Sequence, residues 1–396
     1  MAQEAIDLDR ARQETPGCAQ VLHFNNAGAA LMPQPVLHAV VGHLQLESLI
    51  GGYEAAAQRH DAVEGCYASI AHLINARPDE VAIVENATRA WDMAFYALPF
   101  RPGDRILTAE AEYGSNFVAY LQVAKRTGAV VEVVPSDESG QLSTDALRDM
   151  IDDRVKLVAI THVPTNGGLV NPAAAVGRIT RQAGIPFLLD ACQSVGQMPI
   201  DVEAIGCDML SATSRKYLRG PRGMGFLYVR RTLLDRLEPP FVDIRAAEWV
   251  APDRYTLRPD ARRFENWESD VAAKIGMGVA IDYALGWGLD AIETRVSALA
   301  AQLREGLADL SGVTVRDLGR QRCGIVTFTV EDVDCGQAKQ ALATRRMNVT
   351  VSGAGSTRLD MQARGLAEVL RASVHYYNSE DEVSRLIEAV AALRHR

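Results

Sequence analysis

Long apolar runs, paired cysteines and an excess of positive charge are all missing from this sequence. No stretch reaches 18 uninterrupted apolar residues, which excludes an ordinary transmembrane helix. The six cysteines stand at 18, 66, 192, 207, 323 and 335. That spacing fits neither a zinc site nor a redox pair, and so few thiols in so long a chain are not a disulfide framework. Lys and Arg number 41 against 50 Asp and Glu, a net charge of −9. Such a balance repels phosphate backbones and anionic lipid, so nucleic acid and membrane surfaces are not expected partners. No Gly-x-Gly-x-x-Gly follows the first strand and no phosphate-loop Gly-Lys-Ser/Thr occurs, which argues against a nucleotide-binding protein. Glu4, Asp7, Asp9, Arg10 and Arg12 open the chain with no apolar signal core behind them, so a cytoplasmic protein with reduced thiols is expected.

What is there is an enzyme-sized globular chain: 396 residues, 48% apolar and 23% charged. Short apolar runs alternate with helical patterns from residue 80 to 230. The runs are Val81–Val84, Arg105–Thr108, Val130–Val134, Leu157–Thr161, Pro186–Asp190, Asp208–Ala212 and Gly225–Val229. Segments with a 3–4 period lie between them, at Ser115–Arg126, Thr144–Ile151 and Ala173–Gln182. This is the pattern of an α/β fold with a mostly parallel seven-stranded sheet covered on both faces. Only the loop Thr213–Met224 separates the last two runs. It is too short for a crossover helix, so the final strand is expected to be antiparallel.

Residues Glu238–Arg263, rich in Pro, Arg and Trp, read as a long irregular excursion of functional or partner-contact type. A helical stretch is expected from about Val271 to Leu310. The tail then alternates as strand Gly324–Val330, helix Gly336–Arg346, strands Asn348–Ser352 and Arg371–Tyr377, and helix Glu380–Arg394. The division is a large domain at 20–270 and a smaller α+β C-terminal domain at 271–396, joined by the N-terminal segment 1–19.

Asp190 ends the apolar run Phe187-Leu188-Leu189, so it projects toward the crevice where ligands of open parallel sheets bind. Lys216 follows the neighbouring strand inside Ser214-Arg215-Lys216-Tyr217-Leu218-Arg219-Gly220-Pro221-Arg222-Gly223. Alone, the first reads as a helix cap and the second as a solvated charge. Together they are the pair a pyridoxal phosphate enzyme needs: a lysine for the Schiff base and an acid to keep the pyridine nitrogen protonated.

At these residues the chain resembles the fold-type I pyridoxal phosphate enzymes of the class V aminotransferase family. That group includes cysteine desulfurases, cysteine and selenocysteine lyases, isopenicillin N epimerase and hercynylcysteine sulfoxide lyase. The resemblance runs from about His23 to Tyr377. It implies pyridoxal 5'-phosphate as cofactor, an amino-acid substrate and a homodimer. Asn26, Ala27 and Gly28 match the N-terminal turn near the substrate. Ala87, Thr88 and Arg89 match the turn that opens a helix toward the cofactor phosphate, which a helix N-terminus suits. Tyr113 stands where the family stacks a His or aromatic ring on the pyridine, and is counted with Lys216 and Asp190 as catalytic. Either Thr165 or Asn166 takes the place of the polar residue that reaches the phenolic oxygen, with Gln193 as a second partner of that oxygen or of the imine. Thr213 and Arg215 match phosphate contacts, and Arg371 matches the arginine that grips the substrate carboxylate. No metal is implied.

Two departures matter. Cysteine desulfurases accept sulfur on a mobile cysteine upstream of the carboxylate-binding arginine. Here Thr350–Arg371 contains no cysteine, and the comparable loop reads Ser352-Gly353-Ala354-Gly355-Ser356-Thr357-Arg358. Trp267-Glu268 occupies the place of a Gly-Thr pair that reaches the partner subunit's phosphate in desulfurases. The expected activity is therefore α-proton abstraction from an amino acid by an aminotransferase or C–S β-lyase. An isopenicillin N epimerase-like enzyme is the alternative and a desulfurase comes third. Trp91, Trp249, Trp267 and Arg245, Arg254 and Arg258 offer a pocket for a larger substrate, or else dimer and surface contacts.

Overall fold

The computed structural model describes residues 5–395. Residues 1–4, with Glu4 and the start of the segment 1–19, lie outside the described residues, as does Arg396. In chain order the strands are β1 (Leu22–His23), β2 (Val81–Val84), β3 (Arg105–Ala109), β4 (Val130–Val134), β5 (Val155–Thr161), β6 (Phe187–Asp190), β7 (Met209–Thr213) and β8 (Gly225–Val229). Then come β9 (Ala247–Ala251), β10 (Arg254–Leu257), β11 (Val313–Val315), β12 (Ile325–Val330), β13 (Met347–Asn348), β14 (Thr350–Gly353) and β15 (Glu368–Ser373).

Seven of them form one sheet in the order β2-β8-β7-β6-β5-β3-β4. Strand β8 runs antiparallel to both β2 and β7, and the other pairs are parallel. The central strands are buried on both faces, which is why they read as continuous apolar runs. Their alternate residues feed two separate cores: Phe187 and Leu189 pack on one side with Ile160 and Leu210, and Leu188 packs on the other with Leu157 and Met209.

A second, four-stranded antiparallel sheet, β11-β12-β15-β14, has its own core with the helices Leu289–Ala308, Cys335–Thr344 and Glu380–Ala391. Ser379 and Glu382 form a capping box at the start of the last helix. The N-terminal helix Leu8–Gln13 belongs to this part. Ala11 sits in its core, and Arg12 donates to the Tyr377 carbonyl (3.0 Å) and pairs with Glu382 (2.9 Å). Asp270 caps the helix Val271–Trp287, whose Ala273, Met277 and Ile281 pack into a core of the seven-stranded sheet.

Three expectations are corrected. The stretch 271–310 is two helices, bent by 78° at Gly288 (φ 82°), a backbone conformation that favours glycine. The excursion 238–263 is not irregular throughout, because β9 and β10 pair as a hairpin. The strand placed at Arg371–Tyr377 runs earlier, at Glu368–Ser373, because Val374–Tyr377 leave the sheet to pack against the N-terminal segments.

Candidate active site

The carboxyl ends of β5, β6 and β7 open onto a cavity of about 470 Å³. It is lined by Ala87, Thr88, Tyr113, Thr165, Asp190, Gln193, Thr213, Arg215 and Lys216, together with Asn86, Thr161, Val163 and Cys192. Nine residues singled out in the sequence thus share one wall, at the crevice where open α/β sheets bind ligands.

Asp190 is the last residue of β6 and is 5% exposed. Its Oδ1 accepts the Cys192 amide (2.9 Å) and its Oδ2 accepts Asn116 Nδ2 (3.0 Å), which fixes the plane of the carboxylate. Lys216 lies in the loop after β7, partly buried, and makes no ion pair among the described residues. Burial lowers its pKa below the usual lysine value, against the pull of Cys192 and Asp190. Gln193 donates to the Ala27 carbonyl (3.1 Å), leaving its buried Oε1 without a partner.

The helix Ala87–Phe95 starts at the cavity. Asn86 caps it by accepting the Arg89 amide (2.9 Å), and the Ala87 and Thr88 amides have no intrahelical acceptor. Gly225 at the start of β8 allows this turn to come close: a Cβ there would lie 2.7 Å from the Asn86 carbonyl carbon and 2.9 Å from the Ala87 nitrogen. Arg215, which has no carboxylate partner among the described residues, adds a positive charge on the same wall.

Tyr113 precedes the helix Gly114–Thr127, with its ring on the cavity and its amide bonded to Glu112 Oε1 (2.8 Å). Arg371, on β15, stands one residue behind the wall. It donates to Oγ1 of Thr165, its Nε is buried without a partner, and burial pushes its pKa down to about 10.

Some candidates point elsewhere. The Arg89 side chain turns outward to Asn266 (3.4 Å) and the Phe241 ring (4.8 Å). Asn166 is fully buried and engaged with the second sheet, bonding the Gly353 carbonyl (3.2 Å) and the Ser352 hydroxyl. Of the Thr165–Asn166 pair, Thr165 is the one on the cavity. Asn26 is an internal brace between the Ser373 carbonyl (2.7 Å) and the Tyr377 hydroxyl. The Ala27 and Gly28 carbonyls instead hold Gln193 and Arg215 in place. The residues offered for a larger substrate do not join this cavity, and Arg245, Trp249 and Arg258 line a separate one of about 590 Å³. Trp91 is core, Trp249 and Trp267 are exposed, Arg245 is paired to Glu265 and Arg258 to Asp260.

Sequence reasoning passed over two groups. Arg219 is fully buried and has no carboxylate partner among the described residues. It donates to the Leu31 carbonyl (2.9 Å), the Tyr376 hydroxyl (2.6 Å) and the Thr15 hydroxyl, with its guanidinium over the Tyr377 ring (4.4 Å). It ties the lysine loop to both chain ends, and a single Arg before Gly-Pro carries no signal for that. The second is the Glu112–Asn116 pair beneath Asp190.

This is the site of a cofactor-dependent α/β enzyme: a partly buried amine, a fixed acid and a helix N-terminus on one wall. The chain matches the family described as "Aminotransferase class-V" over residues 22–386 and belongs to it. The cofactor of that family, pyridoxal phosphate, fits the donors present: a helix N-terminus with Arg215 and Thr213 for phosphate, Asp190 for a ring nitrogen, Lys216 for the aldehyde.

A probable cysteine desulfurase of Xylella fastidiosa is 31% identical over 98% of this chain and 96% of that protein. One of Methanothermobacter thermautotrophicus is 28% identical over 96% of each. Among solved structures, the apo cysteine desulfurase of Thermococcus onnurineus superposes with a TM-score of 0.91 at 27% identity, over 99% of each chain.

Proposed function

We propose that this chain is a pyridoxal phosphate lyase that breaks the carbon–sulfur bond at the β-carbon of an α-amino acid. The observation that carries the reading is the arrangement of Lys216, Asp190 and Arg371: a partly buried amine and a fixed carboxylate on one wall, with a guanidinium behind Thr165 whose Nε has no partner. The cofactor, when bound, supplies an aldehyde that condenses with amines and a ring that takes up the electron pair left at the α-carbon.

The chain's own groups do the rest. Arg371 offers its free Nε to the substrate carboxylate. Lys216, less basic than an exposed lysine, takes the α-proton as general base. Asp190, held by Asn116 and the Cys192 amide, keeps an acceptor facing the ring nitrogen. Loss of the β-sulfur substituent then completes an elimination. The names of the relatives favour sulfur chemistry over amino transfer and epimerisation.

A second reading, a desulfurase, is favoured by those same names. Against it stands the loop Ser352–Arg358, which carries no thiol and whose Gly355 carbonyl packs against Gly114 beside the cavity. We place the enzyme in a reducing, cytoplasmic compartment, on the strength of its six free cysteines. We also propose a homodimer that covers Phe241, Ile244, Trp249 and Trp267, apolar residues left exposed along 241–267.

The test is to incubate the loaded enzyme with cysteine, cystine and other amino acids. Pyruvate, ammonia and released sulfur support the lyase. Alanine with sulfane sulfur would mean a desulfurase, amino transfer to an added oxo acid a transaminase, and α-deuterium exchange without turnover an epimerase.

A further inference from the structure

We propose that Glu112 is a positioning residue of this site, holding Asp190 through Asn116 and Tyr113 through its amide. The inference rests on the cofactor reading above. Asn116 Nδ2 has two protons and spends one on each carboxyl: Glu112 Oε1 at 2.9 Å and Asp190 Oδ2 at 3.0 Å. Its amide plane, and hence the acceptor Asp190 presents to the cavity, is fixed only while Glu112 accepts. The same Oε1 accepts the Tyr113 amide at 2.8 Å, so one buried oxygen sets both the acid and the ring on the cavity.

Glu112 is held in turn by the hydroxyls of Thr161, Thr108 (2.9 Å) and Tyr120 (3.5 Å). It is 2% exposed and does not line the cavity, so it acts through its neighbours. Burying a carboxyl is costly, and a mere space-filler here would not need five donors.

Glutamine can replace this arrangement. Its Oε1 accepts the Tyr113 and Asn116 protons while its Nε2 donates to the Thr108 and Tyr120 hydroxyls, which accept as readily as they donate. Alanine cannot.

The experiment measures the dissociation constant of pyridoxal phosphate for the full-length protein stripped of cofactor, with a thermal melt of the stripped protein as the check on folding. Glu112→Ala is expected to weaken binding about 10-fold or more, and Glu112→Gln to stay within about 3-fold of wild type. Asn116→Ala, which leaves the Tyr113 arm intact, decides the matter if Glu112→Ala does not fold. It should weaken binding about 10-fold alone and add nothing to Asp190→Ala, because its effect runs through that residue. Equal affinity for wild type and both alanine variants, or full additivity of Asn116→Ala with Asp190→Ala, overturns the inference. A wild-type protein that takes up no pyridoxal phosphate sinks the cofactor reading, and this inference with it.

Discussion

Arg371 and Thr165 are bonded across the two sheets: an Nη1 proton of the strand β15 arginine goes to the hydroxyl of a loop residue that lines the cavity. The bond fixes the guanidinium without neutralising it, so its buried Nε stays free. A buried cation beside a cavity that keeps a donor unpartnered, as Arg219 does not, suits a carboxylate supplied from outside.

Arg371→Ala should therefore act on substrate binding. We expect KM to rise roughly 10- to 100-fold with a smaller loss in kcat, the size of one or two charge-assisted hydrogen bonds. Lysine should recover only part, because it lacks the planar fork. Steady-state kinetics decide: an unchanged KM in Arg371→Ala would mean that another group holds the carboxylate.

Lys216 should carry the cofactor. The chain has five lysines, and among them Lys216 lines the cavity. Lys274 is a useful rival, because burial lowers its pKa too, but it sits beside Tyr67 in another part of the molecule. Borohydride reduction followed by peptide mapping should label Lys216. A label on Lys274 would put the chemistry at the wrong place.

The seven-stranded sheet was legible because strands buried on both faces are unbroken apolar runs, and β8 because a loop leaves no room for a crossover. The hairpin β9–β10 was not: Glu248, Trp249 and Val250 are all exposed, so no alternation marks an inner face. That Lys216 and Asp190 share one cavity wall could be read because pyridoxal chemistry would need both. Arg89 and Asn166 could not be resolved, since a sequence does not say which way a side chain turns from a shared loop. Glu112 and Asn116 look like any polar pair at the start of a helix until Asp190 is folded onto them.

Glu112 gives a stability prediction with a definite sign. Burial, reinforced by the charge of Asp190, pushes its carboxyl from 4.5 up to about 7, against the hydrogen bonds from Thr161, Asn116 and Thr108. The folded state therefore keeps a proton that the unfolded chain loses earlier. The stability this contributes is fully present below pH 4.5 and is lost as pH rises through 7. Glu112→Gln cannot ionise, so its stability relative to wild type should grow from about pH 5 to pH 8, by on the order of 3 kcal/mol at most. His162, pushed down to about 4 by burial, works in the opposite sense and cancels in the comparison. Urea unfolding of the cofactor-free proteins across that range measures it, and a difference that does not change with pH would show that Glu112 ionises as an ordinary carboxyl.

Sulfur should leave without passing through a protein persulfide. A relay needs a thiolate that can reach the cavity, and burial raises the pKa of every cysteine in this chain. At neutral pH all six are thiols, and thiols are poor nucleophiles. Cys66, Cys207, Cys323 and Cys335 are also buried. Cys192 is the one on the cavity wall, but it is anchored in the turn that caps Asp190, which raises its pKa further by its negative charge. The loop that would have to swing in is held by the Asn166 bond to Gly353 and the packing of Gly355 on Gly114, and it carries Ser352 and Ser356 instead of a thiol. Replacing all six cysteines by Ser or Ala should therefore leave turnover per loaded, folded molecule near wild type, apart from roughly 1–3 kcal/mol of stability lost at each buried position. Single variants separate the two effects. If Cys192→Ala abolished turnover while cofactor binding and the melting temperature stayed unchanged, a relay or acid–base thiol would exist, and alanine with a persulfide on Cys192 in the wild type would turn the lyase reading into a desulfurase.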